Sequence, residues 1–237
     1  MWQQLKQGLK TLSKKRSPDP QVISYQTLRR SIGWLGLSLP LVMVLGSFLF
    51  STCKTVQPSI SHYYYTNMRE VFVGILCAVA LFLFSYRGFS RIDSISSNIA
   101  GFFALGIALF PTNLLCVKDT NECYPCEADV ISLTNIPFHS TIHLSCAALF
   151  FITLSLVSIF LFTKSKHSPQ HQTPEKKKRN VVYVVCGIVM LVSIAVIGLH
   201  FLLGKKETKL VFVFETTALL AFGVSWLTKG EMILADN

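Results

Sequence analysis

Six apolar stretches, each bounded by polar or charged residues, divide this chain and predict helices over about 33–52, 69–86, 96–112, 141–163, 181–204 and 210–228. Most approach the roughly 20 residues that a helix needs to cross a bilayer. The alternation of polar and apolar residues that marks a barrel strand is absent, so each stretch must satisfy its own backbone in hydrocarbon. The expected fold is all-α: a six-transmembrane-helix integral membrane bundle. It divides into a basic N-terminal segment (1–32), a membrane domain (33–230) containing a basic linker (164–180), and a short tail (231–237). Within the first segment, residues 1–12 carry Trp2, Leu5, Leu9 and Leu12 on one helical face with Lys6 and Lys10 off it, a pattern suited to lying on an anionic membrane surface.

Composition agrees with the pattern. Hydrophobic residues make up 51% of the 237, charged residues 14%, and the mean hydropathy is +0.49, values that point away from a water-soluble domain. Charge then orients the bundle. With the N-terminus inside, the inner segments hold sixteen Lys and Arg and the outer segments six, so both termini are expected in the cytoplasm. The net charge of +10 is accounted for by this asymmetry, and no nucleic-acid partner is expected. The expected partner is membrane lipid, with a lipid-like or small-molecule substrate, and a homo-oligomer is compatible with the small helix count.

Small residues Ala100, Gly101, Ala104, Gly106 and Ala108 place predicted helix 3 in close contact with its neighbours. Three consecutive tyrosines, Tyr63, Tyr64 and Tyr65, fit either an interfacial aromatic belt or a pocket wall. The outer loop 113–138 carries Cys116, Cys123 and Cys126; a structural disulfide, free thiols, and a redox or metal role all remain open.

The candidate chemistry lies at the outer end. His139 and His143 are one turn apart on one helical face. His62, His200 and Glu215 fall into the same layer by depth along their helices. Paired imidazoles at this spacing can hold a transition metal, zinc above all, once further ligands arrive. Glu215 stands between Val211-Phe-Val-Phe and Thr216-Thr-Ala-Leu-Leu. An ionisable residue there is costly, should face the bundle interior, and should have a partner or a task. His62, His139, His143 and His200 are therefore the candidate metal ligands. Glu215 or Glu70 is the candidate proton carrier for a zinc-bound hydroxide attacking a carbonyl.

Pro58-Ser-Ile-Ser-His-Tyr-Tyr-Tyr-Thr, Arg69-Glu-Val-Phe-Val-Gly, Phe110-Pro-Thr and Phe222-Gly-Val-Ser-Trp-Leu-Thr-Lys-Gly together resemble an uncharacterised bacterial multi-pass membrane protein family, which implies a bacterial inner-membrane location. Serine and histidine beside predicted helix 2, with a His-x-x-x-His pair, are also similar in ingredients to the CREST membrane hydrolases of the alkaline ceramidase and adiponectin-receptor type. That resemblance implies a zinc-dependent hydrolase of lipid or amide substrates. It carries the family's serine onto Ser59 or Ser61, its adjacent histidine onto His62 and its histidine pair onto His139 and His143; Ser61 thereby joins the catalytic candidates. The family's aspartate has no counterpart here, and its pair belongs to the last helix. A second function class, a proton-coupled small transporter or a lipid-binding module, would use Glu215, Arg69 and His200 as a relay, and in a third, a structural or assembly protein, the polar residues only hold the helices together.

Overall fold

A computed structural model describes residues 20–50, 54–88, 90–113, 115–116, 123–124, 138–165, 172–204 and 209–235, with side chains from Tyr25 onward and none at 115–116 or 123–124. The amphipathic reading of residues 1–12, the side chains of Cys116, Cys123 and Cys126, and residues 166–171 of the 164–180 linker lie outside them.

Among the described residues the architecture is six helices: α1 (Pro20–Phe50), α2 (Arg69–Ser85), α3 (Arg91–Leu109), α4 (His139–Leu156), α5 (Pro174–Leu202) and α6 (Lys209–Lys229). A short 3₁₀ helix (Ile60–Tyr65) follows α1, and a π-helical turn (Val157–Phe162) extends α4. The remaining element is a two-residue antiparallel ladder that sets Cys116 opposite Cys123. Five helices are long and apolar enough to cross a membrane, and they make the chain a multi-pass helical membrane protein. The remaining helix, α2, has 17 residues, about 26 Å at 1.5 Å per residue.

Two helices begin well before their apolar runs: α1 at Pro20 and α5 at Pro174. Hydropathy marks where hydrocarbon begins, whereas a helix begins where its first N–H groups are capped. At α5 the Thr173 side chain accepts from Lys176 N–H and Pro174 needs no partner. The α3 start is closed by a capping box, in which Ser90 and Asp93 each accept the other's backbone N–H.

Each helix packs on its sequence neighbours, and α1 closes the ring against α6. The small residues of α3 do what their pattern predicts. Ala100 and Ala104 are fully buried, and Gly101 lies against Ala80 and Phe84 of α2 while Gly106 lies against Cys146 of α4. One half of the ring is filled by aromatic residues in edge-to-face contact: Trp226 meets Tyr86, Phe162 and Phe222, and Phe222 meets Phe150. The other half, at the end holding the 54–68 and 110–113 connections, contains the polar site.

Candidate functional site

The site begins with the way α3 ends. A residue before proline is pushed out of the helical region, and Phe110, which precedes Pro111, is extended at φ −108, ψ 112. The helix stops there, so the Phe110 carbonyl leaves the helical ladder and stays available. It accepts from His143 Nδ1 at 2.7 Å. A carbonyl can only accept, so Nδ1 carries the proton and, in the neutral ring, Nε2 is the bare acceptor. Ser61 Oγ, 2.8 Å from Nε2, is therefore the donor. The result is a directed chain, Ser61 O–H to His143 to Phe110 C=O, with His143 1% exposed.

The 3₁₀ helix holds Ser61 in this position. Ser59 caps it by accepting from His62 N–H, and the Ser59 hydroxyl also lies 2.7 Å from His62 Nδ1. The Glu215 carboxylate of α6 accepts from Ile60 N–H at 2.6 Å, and Phe212 N–H donates to Pro58 C=O. Tyr65 donates its hydroxyl to Thr112 C=O, and Tyr64 accepts from Arg69, whose guanidinium stacks on the Tyr64 ring. All three tyrosines are buried within this end rather than exposed as a belt. The 110–113 turn and α6 thus clamp the serine-bearing segment from two sides.

A cavity of about 160 Å³ opens beside Ser61. Ser59, Ser61, Thr112 and Glu215 form its polar end, and α4 and α5 supply an apolar wall including Leu144, Phe151, Ile194 and Phe201. Among the described residues that line it, Glu215 is the sole ionisable one.

The predicted residues divide. Ser61, His143, Glu215 and His62 come together. His139, one turn before His143, packs its ring edge against the Phe110 ring. His200 is buried, its ring beside that of Phe201, and it does not line the cavity. Glu70 is exposed in the first turn of α2. Among the described residues no three His, Cys, Asp or Glu side chains are grouped to hold a metal ion, and His143 commits one nitrogen to Phe110 and the other to Ser61. The participants missed by sequence reasoning are the Phe110 carbonyl, Thr112 and the Ile60 N–H. The proline at 111 was the available signal for the first.

His62 is fully buried, and its pKa is lowered to about 4, mainly by burial and secondarily by His143, against a hydrogen bond to the Asn113 backbone. A histidine held neutral in the fold contributes stability above the unfolded value of 6.5 and loses it as pH falls from there toward about 4. The shift corresponds to about 3 kcal/mol. Unfolding in detergent across that pH window should show wild type losing stability and His62→Gln losing markedly less; parallel curves would contradict the assignment.

No protein-family model, curated protein or solved structure matches the chain, and of the resemblances drawn from its sequence the part the structure bears out is the multi-pass helical membrane architecture.

Proposed function

We propose that the chain is a hydrolase of acyl lipids, esters or amides, in which Ser61 is the nucleophile and His143 the general base. In this reading α2 is a sixth span, both termini are cytoplasmic, and the site faces outward from a bacterial inner membrane. The observation that carries the proposal is the Ser61–His143–Phe110 hydrogen-bond chain at the polar end of an apolar cavity. It reproduces the logic of nucleophile, base and orienting acceptor, with a backbone carbonyl in the place a carboxylate takes in a triad.

The chemistry balances without further groups. His143 Nε2 takes the Ser61 proton as Oγ attacks the acyl carbon. The imidazolium, steadied by the Phe110 carbonyl, then returns that proton to the departing alcohol or amine. Water, deprotonated by the same nitrogen, releases the acid and restores Ser61. Ser61 takes the role here that a zinc-bound hydroxide had in the sequence-based expectation, because both His143 nitrogens serve the serine chain. The cavity wall suits a stretch of acyl chain, and its small volume suits that alone rather than a whole lipid.

A serine-directed fluorophosphonate is the direct test. Covalent labelling at Ser61, lost in His143→Gln, is expected in membranes. A proton-coupled transporter, which would draw on Glu215 at the same cavity, predicts no such adduct, and its absence in folded wild type would overturn the hydrolase.

A further inference from the structure

The helices α4 and α5 do not pack evenly along their length. Toward the end away from Ser61 they are in close contact. Ser158, in the π-helical turn that extends α4, donates its hydroxyl to Tyr183 C=O at 2.8 Å, and a Cβ added at Gly187 would lie 3.0 Å from Ser155 O. Gly198 lies about three turns further along α5, roughly 16 Å toward the Ser61 end, and close to the same helical face. A Cβ added there would meet nothing within 4 Å. The two helices therefore part as they approach the site, and the cavity beside Ser61 occupies the gap.

Each helix lines that gap with a single stripe, Leu144, Ala147 and Phe151 on α4 and Ile194, Gly198 and Phe201 on α5. Leu144 is 39% exposed and Gly198 is exposed, although both line the cavity. Both helices are apolar spans, so exposure at these positions is contact with hydrocarbon. The cavity thus has a polar floor at Ser61 and Glu215 and an apolar mouth on the lipid side. An apolar cavity of about 150 Å³ takes a benzene ring, so the 160 Å³ here takes roughly six acyl carbons. A longer chain has to leave through the mouth. Carbons that stay in hydrocarbon need no pocket of their own, which lets a small cavity serve a long chain.

We propose that the substrate is a long-chain lipid that enters sideways from the bilayer, with its carbonyl at Ser61 and the far part of its chain leaving between α4 and α5 past Gly198. Gly198 is then a specificity-determining residue. A side chain there stands between Ile194 and Phe201 on the same stripe, across the path of the chain. The proposal rests on the hydrolase reading and adds to it where the substrate comes from and how long its chain is.

The test compares butanoyl and hexadecanoyl esters of one fluorogenic alcohol in proteoliposomes, read as the ratio of their kcat/KM values so that the fraction of active protein cancels. The butanoyl chain ends inside the cavity, and the hexadecanoyl chain passes the mouth. Gly198→Leu should lower the hexadecanoyl-to-butanoyl ratio by about tenfold or more, and Gly198→Ala should lower it less. Gly74 of α2 is likewise exposed with nothing within 4 Å of an added Cβ, but it does not line the cavity, and Gly74→Leu should leave the ratio as in wild type. With Ser61 of wild type labelled by the fluorophosphonate, a ratio unchanged in Gly198→Leu, or lowered equally in Gly74→Leu, would overturn the lateral path and leave the hydrolase standing. So would a wild type that hydrolyses only the butanoyl ester. Absence of the label in folded wild type would overturn the hydrolase, and the path with it.

Discussion

Ser61→Ala should lower kcat/KM for a fluorogenic acyl lipid in proteoliposomes by about 10⁴-fold, roughly 5.5 kcal/mol of transition-state stabilisation. His143→Gln should cost a similar factor, and the double variant little more than either alone. Non-additivity follows from the geometry: His143 Nε2 has Ser61 Oγ as its partner, so either loss idles the other. The third member of the chain is a backbone carbonyl and cannot be deleted by substitution. It can be turned. Phe110 is extended because Pro111 follows it, and Pro111→Ala removes that restraint, letting Phe110 continue α3 and withdraw its carbonyl from His143. The expected loss is up to about 10²-fold, falling on kcat more than on KM, since the cavity wall is unchanged. Ser61→Ala activity within tenfold of wild type, in protein that unfolds normally, would remove Ser61 from the reaction.

The helices of this fold are legible in the sequence because hydrocarbon admits so few backbone solutions, and the small residues of α3 announce its close contacts. The site is legible only in part. His139 and His143 read as a pair from their spacing, yet one turn of helix separates a ring lying against Phe110 from a ring aimed at Ser61. The Ser61–His143 contact joins positions 82 residues apart, which local periodicity cannot reveal. Glu215 stands out as an acid in an apolar run, and the expectation that it has a partner is right. One such partner is the Ile60 N–H, and Arg69 stacks on Tyr64. Sequence displays side chains; here the decisive acceptor at Phe110 and donor at Ile60 are both main-chain groups. Each is exposed by a break in regular structure, at Pro111 and at the start of the 3₁₀ helix.

The contact that closes the ring sets the largest effect expected on stability. Where α1 crosses α6, Gly33 and Gly36 face Gly223, and a Cβ added at Gly223 would lie 2.5 Å from Leu37 Cγ, 2.8 Å from Gly33 O and 3.0 Å from Leu37 N. Two of those atoms are backbone, so no rotamer change relieves the overlap and the helices must separate. Separation would loosen Phe222 and Trp226, which pack Phe150, Tyr86 and Phe162 on the neighbouring helices. Gly223→Leu should therefore destabilise by about 3 kcal/mol, lowering the Tm in detergent by roughly 6–12 °C. Gly74, on α2, has nothing within 4 Å of an added Cβ, and Gly74→Ala should be neutral or gain up to about 1 kcal/mol from helix propensity. If both variants unfold with wild type, the α1–α6 contact does not close the bundle in this way. If Gly223→Leu alone falls, acyl-lipid hydrolysis should fall with it, because the same helix α6 carries the Glu215 carboxylate to Ile60 and so fixes the segment that presents Ser61.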